Sequence, residues 1–210
     1  ARRFPHVAAD PYITVLDELG GEAFFNSLFL QRFVAPVVAA LLPEARRDGP
    51  LDRAYAFVRH YDAETSPLGE EQQDGVHHDE SAVTVNIALS SGRQFLGGNL
   101  TFCGVFGEDD YRRHVHTMDW SAMSPGFAVV HSGLRRHAAA PLMAGRRTNL
   151  VLWAISSRPR AIQSGAWETR LEPDPQCLSE LYDADFQVHR HLLRARRGPG
   201  AAERSARAEL

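Results

Sequence analysis

From Val76 to Ser156 the chain is a succession of short apolar alternations separated by glycines, and few architectures accommodate that pattern. The segment SAVTVNIAL sets Val83, Val85, Ile87 and Leu89 on one side and Ala82, Thr84, Asn86 and Ala88 on the other, the two-residue period of a strand between unlike environments. Gly97 and Gly98 lead into NLTFCGVF. GFAVVHSG and TNLVLWAIS follow, with Gly126, Gly133 and Gly145 marking bends. An earlier segment, YAFVRHY at 55–61, is also strand-like in composition. Many short strands after a helical lead-in predict a mainly β fold, a sandwich or jelly roll with helices on one face.

The lead-in is residues 10–42, where Ile13, Leu16 and Leu19, then Phe24, Phe25, Leu28, Phe29, Phe33, Val37, Val38 and Leu41 recur at helical spacing. Gly20 and Gly21 divide it into two expected helices, whose phenylalanines are expected to be core against the sheet. The organisation reads as N-terminal helices over 1–54, a β core over 55–160 and an extension over 161–210, with a helix expected at 178–193. The loop at 62–75 is a candidate cover for the site.

With 210 residues and a formal charge of −3, the chain can bury a sizeable core without a structural metal, so any metal is expected to be functional. The two cysteines, Cys103 and Cys177, are too few for a disulfide framework and read as buried bystanders in a reducing, cytoplasmic setting. No apolar run is expected to span a membrane, and the scattered arginine pairs do not make a nucleic-acid surface. All 23 basic residues are arginine. That excludes lysine Schiff-base and P-loop lysine chemistry and leaves arginine as the only side-chain cation for gripping a carboxylate.

The chemistry concentrates in HHDES. On a strand His77 and Asp79, two apart, point to the same side, so an imidazole and a carboxylate converge while His78 faces away. His137 follows 58 residues after Asp79, and Arg147 ten residues after His137. A hairpin with arms VVHSGLRRHAAA and RRTNLVLW is expected to place His137 and Arg147 on adjacent strands facing one cavity. Two histidines and a carboxylate with open coordination positions form the facial triad of non-haem iron(II) oxygenases. An arginine at the wall suits the far carboxylate of a dicarboxylic cosubstrate. His131 is a rival third ligand; only His137 has the ten-residue distance to an arginine. Arg146, adjacent to Arg147, is expected to face outward.

In this order of elements, YAFVRHY, HHDESAVTVNIAL, GGNLTF, PGFAVVHSGLRRHAAAPL and GRRTNLVLW, the chain resembles the iron(II)- and 2-oxoglutarate-dependent dioxygenases, in particular their prolyl and lysyl hydroxylase branch. The resemblance covers about residues 25–156. It implies a double-stranded β-helix, with His77, Asp79 and His137 as iron ligands and Arg147 on the distal carboxylate of 2-oxoglutarate. It also implies that Tyr61 helps hold the cosubstrate, that Thr84 and Asn86 face the cavity, and that Leu100 and Trp153 line it. Parity on an unbroken strand from His77 would turn Thr84 and Asn86 away, so a bulge or turn near Glu80 and Ser81 is expected. Some relatives anchor 2-oxoglutarate with lysine; this chain, lacking lysine, must use arginine. The implied activity is hydroxylation with dioxygen, giving succinate and carbon dioxide, with ascorbate as reductant and a peptidyl lysine, a proline or a small molecule as substrate. The alternatives are a non-catalytic metal- or ligand-binding jelly roll and a zinc hydrolase, the latter without an HExxH helix.

Overall fold

The computed structural model describes residues 10–46, 49–65, 75–106, 108, 110–156 and 177. β1 (Ile13–Val15), β2 (Leu51–Asp62), β3 (Val83–Ala88), β7 (Ala128–Ser132) and β9 (Leu142–Ser156) form the larger sheet, in the order β1-β2-β9-β3-β7. The short β4 (Phe95–Gly97) pairs with the first part of β9. The smaller sheet is β6 (His114–Met118), β5 (Leu100–Val105) and β8 (Arg135–Ala139), in the order β6-β5-β8. His77 bridges His137 and takes the fourth place beside β8. All pairings are antiparallel, and from His77 onward the chain passes back and forth between the sheets, with His77 in the smaller, β3 in the larger, β5 and β6 in the smaller, β7 in the larger, β8 in the smaller and β9 in the larger, which is the double-stranded β-helix.

The register sorts the larger sheet into two faces. Val83 and Val85 lie beside Ala154 and Leu152, which lie beside Ala54 and Ala56. These small and branched side chains form the core with a helix, α1 (Phe24–Leu41), laid across them. The other parity, Thr84 beside Trp153 and Asn86 beside Val151, looks toward the smaller sheet. One strand therefore feeds an apolar core on one side and turns the polar Thr84 and Asn86 to the other.

Four expectations about the lead-in and the cysteines change. Residues 13–15 are not helical: the β-branched run Ile13, Thr14, Val15 pairs with the edge of β2, where such side chains fit the pleated surface better than a helix. The phenylalanine-rich stretch does form α1, but only part of its apolar set is buried. The first part, Phe24–Val34, is wound in π form, and its buried residues Phe25, Leu30, Val34 and, in the next turn, Val38 fall at five- and four-residue intervals. Phe24, Leu28, Phe33, Val37 and Leu41 are exposed as a result. This 18-residue helix has a mean hydropathy of 1.5, enough by length and composition to cross a membrane, contrary to the sequence expectation. It is nonetheless docked on the sheet by polar bonds: Asn26 Oδ1 accepts from the Ala54 amide at 2.8 Å and Gln31 Nε2 donates to the Leu51 carbonyl at 3.2 Å.

The cysteines are not bystanders. Cys103 and Cys177 form a disulfide across 74 positions, fully buried with Val76. The cysteine argument for a reducing compartment therefore lacks its basis. The expected helix at 178–193 and most of the 62–75 loop lie outside the described residues.

Candidate metal and cosubstrate site

The chain between the sheets does not run as one strand. His77 belongs to the smaller sheet through its bridge to His137, the Asp79 amide donates to the Gly133 carbonyl at 2.9 Å, and β3 begins in the larger sheet only at Val83. The expected bulge or turn is thus a crossover between sheets, and it resets the parity so that Thr84 and Asn86 face inward. Gly133 is needed for the crossing: a Cβ there would lie 1.9 Å from the Ser81 carbonyl oxygen.

This crossover brings His77, Asp79 and His137 together, with ligating atoms all within 4.8 Å of one another, the one such group of three among the described residues. Asp79 Oδ1 lies 3.7 Å from His77 Nε2, and its Oδ2 lies 3.8 Å from His137 Nε2. The other ring nitrogens face backbone carbonyls, His77 Nδ1 at 2.6 Å from Gly75 and His137 Nδ1 at 3.0 Å from Arg135. Those carbonyls take the Nδ1–H and leave the Nε2 lone pairs toward Asp79. Burial drives the His137 pKa down to about 3, against the attraction of Asp79, so this imidazole is neutral, the form that binds metal. Burial also pushes the Asp79 carboxyl up, but His137, His77 and His131 and the Thr84 hydroxyl more than offset it, and its pKa is lowered. Thr84 donates to Asp79 Oδ2 and is itself 2.9 Å from Ser81 Oγ.

His131, the rival ligand, is buried beside the group, its ring 4.7 Å from that of His137, but is not part of it. Its Nδ1 is 2.9 Å from the Ser132 carbonyl oxygen, and its ring also meets Phe102 edge-on.

Arg147 lies on the inward face of β9, opposite Tyr61 of β2, and is only 2 % exposed. The expected hairpin placing it beside His137 does not exist. β8 pairs with β5 and β9 with β2 and β3, so His137 and Arg147 stand on opposite sheets. They are linked through one buried cluster: the Phe102 ring is 6.0 Å from that of His137, and Phe102 is buried with Tyr61, over which the Arg147 guanidinium lies. The Arg147 guanidinium sits 4.0 Å from the Tyr61 ring centroid, 5.6 Å from Trp120 and 5.9 Å from Phe95. Nη1 donates to the Gly98 carbonyl, while Nε is buried without a partner among the described residues. Arg146 points outward, 71 % exposed, with its Nε 2.7 Å from Asp62.

A buried cation with an open donor fits the distal carboxylate of 2-oxoglutarate, and a His, Asp, His donor set of nitrogen and oxygen fits iron(II). Leu100 is buried with Tyr61, Trp120, Phe102 and Leu142 in the cluster at the Arg147 end. Trp153 instead packs with Tyr55, Phe57 and Val151, in a separate cluster near Thr84. Asn86 Oδ1 accepts from Asn149 Nδ2 at 2.6 Å. The sequence reading missed Trp120, Phe95 and Asn149. Only Asn149 carried a signal, being two residues after Arg147 on an alternating strand and so on the same face.

No family model matches the chain. It is similar to 2-oxoglutarate and iron-dependent oxygenase domain-containing protein ICU11 of Arabidopsis thaliana, 32% identical over 155 residues, 71% of this chain and 36% of that protein. It is similar to 2-oxoglutarate and iron-dependent oxygenase domain-containing protein 2 of Homo sapiens, 34% identical over 149 residues, 71% of this chain and 39% of that one. A procollagen lysyl hydroxylase and glycosyltransferase of Acanthamoeba polyphaga mimivirus is 31% identical over 122 residues, 57% of this chain and 12% of that protein. The chain spans well under half the length of these curated relatives.

Proposed function

This chain belongs to the iron- and 2-oxoglutarate-dependent oxygenase family, and from that premise we propose that it hydroxylates a peptidyl side chain, a lysine or a proline, with release of succinate and carbon dioxide. The carrying observation is the His77, Asp79 and His137 group together with the buried guanidinium of Arg147 on the facing sheet. The viral relative named as a procollagen lysyl hydroxylase supports the peptidyl substrate.

His77, Asp79 and His137 would hold the iron. Iron(II), 2-oxoglutarate and dioxygen, when bound, supply the oxidising power for hydroxylation, and ascorbate keeps the metal reduced. Thr84 holds one oxygen of the Asp79 carboxylate and so fixes how that carboxylate is presented. Arg147 pairs with the distal carboxylate, its charge kept in place by Tyr61 and kept dry by Trp120 and Phe95. Asn86, on the inward face between Thr84 and the Arg147 end, offers its amide to the cosubstrate.

Purified protein supplied with iron(II), ascorbate and 2-oxoglutarate is expected to release succinate slowly without a prime substrate, and faster with a lysine- or proline-containing peptide that it accepts. Succinate at background, with no metal-dependent 2-oxoglutarate binding by calorimetry, overturns the oxygenase reading. Binding without turnover on any peptide favours the non-catalytic jelly roll.

A further inference from the structure

Asn149 is 1 % exposed and lies on the inward face of β9, two residues from Arg147. Its Nδ2 donates to Asn86 Oδ1 at 2.6 Å, and its own Oδ1 is buried with no partner among the described residues. A buried amide left half-satisfied is destabilising, so such a group calls for a reason. Turning over both amides does not remove the deficit; it only moves it from the oxygen to the nitrogen of Asn149. The open position therefore belongs to the site and not to one orientation of the pair.

Its place in the fold supplies the reason. On β3, Thr84 holds Asp79, and Asn86 follows two residues later on the same face. On β9, Asn149 bonds Asn86, and Arg147 precedes it by two on the same face. A dicarboxylate reaching from the metal ligands to Arg147 runs alongside this amide pair, each two-residue step being about 7 Å along a strand. At neutral pH every oxygen of 2-oxoglutarate is an acceptor, so the cavity wall must present donors. Because Asn149 occupies Asn86 Oδ1, the edge of Asn86 left open is its NH2.

We propose that Asn149 is a positioning residue for the cosubstrate: it fixes the Asn86 amide with its donor edge toward bound 2-oxoglutarate, and its open oxygen is satisfied by water ordered with that ligand. The inference rests on the oxygenase reading and deepens it. An aspartate at 149 cannot donate to Asn86 Oδ1. It would turn the Asn86 NH2 onto itself and present an oxygen to the ligand instead.

The test is calorimetric titration of 2-oxoglutarate into the Mn(II)-loaded protein, with thermal unfolding of the ligand-free protein alongside. Asn149→Leu and Asn149→Ser are expected to weaken 2-oxoglutarate binding roughly tenfold, and Asn149→Asp more, as the loss of one oriented hydrogen bond implies. Mn(II) affinity is expected to stay unchanged. The ligand-free midpoint is expected to hold or rise for Asn149→Leu, since an unpaired buried acceptor is removed. Added to Asn86→Ala, Asn149→Leu is expected to weaken binding no further, because the two act as one unit. Unchanged 2-oxoglutarate affinity in the Asn149 variants, or equal losses with and without Asn86, overturns the positioning role. So does a fall in ligand-free stability in every variant that tracks its loss of affinity. No binding by the unsubstituted protein overturns the oxygenase reading and this inference together; normal binding there with unchanged Asn149 variants overturns this inference alone.

Discussion

Gly98 and Arg147 are in contact: a Cβ built on Gly98 would lie 2.7 Å from Arg147 Nη1, and the Gly98 carbonyl accepts a hydrogen bond from that same atom. The glycine also has φ +71°, a conformation that side chains disfavour. Gly98→Ala is therefore expected to push the guanidinium out of its aromatic surround and raise the 2-oxoglutarate requirement about tenfold or more, with metal content intact. Kinetics with varied 2-oxoglutarate check this; an unchanged requirement shows that the arginine has room to relax.

Arg147→Ala removes the buried cation itself. Its effect is expected to exceed that of Gly98→Ala, on the order of a hundredfold in 2-oxoglutarate affinity, as for truncation of one partner of a buried charge pair. Arg146→Ala, which removes an exposed guanidinium paired with Asp62, is expected to change that affinity little. Equal effects from the two would remove Arg147 from its role.

The ligand assignment separates two neighbouring histidines. His137→Ala and Asp79→Asn are expected to abolish stoichiometric iron(II) or Mn(II) binding, whereas His131→Ala is expected to retain it, because His131 stands outside the group of converging ligand atoms. Metal analysis of the purified variants decides, and metal loss in His131→Ala would make that residue a ligand.

Thr84→Val keeps the shape of the side chain and deletes its donor to Asp79. Loss of such a support to a metal-binding carboxylate is expected to weaken metal binding about 10- to 100-fold. Titration of Mn(II) into the variant measures it. A metal affinity equal to that of the unsubstituted protein would show that Asp79 needs no such support.

The Cys103–Cys177 disulfide joins positions 74 apart in the chain and is buried with Val76, the neighbour of His77. By the chain-entropy account a loop of this length contributes about 4 kcal/mol. Cys177→Ser, or full reduction, is expected to lower the unfolding midpoint clearly, as denaturant melts with and without reductant can record. Coincident melts would show that the crosslink contributes nothing.

Much of this was legible along the chain. The two-residue period of SAVTVNIAL assigns β3, and the spacing of His77, Asp79, His137 and Arg147 is carried by the sequence alone. The helical spacing at 13–19 misled, because three β-branched residues beside an open strand edge find a partner that no local pattern reveals. The disulfide was equally hidden, since the fold, not the interval of 74 positions, brings the two sulfurs together.

The sequence by itself determined which residue types are available and in what order: a His-x-Asp pair, a later histidine, and an arginine as the only side-chain cation. It did not determine how they meet. The hairpin that seemed to join His137 to Arg147 is instead two strands in opposite sheets. The crossover at 78–82, which no period of two predicts, turns Asp79 toward one sheet and Thr84 into the other. Alternation fixes a side chain's face only within a strand; which faces look at each other is decided by pairing between distant segments, and so the gathering of Trp120 and Phe95 around Arg147, and of Asn149 on Asn86, belongs to the tertiary structure.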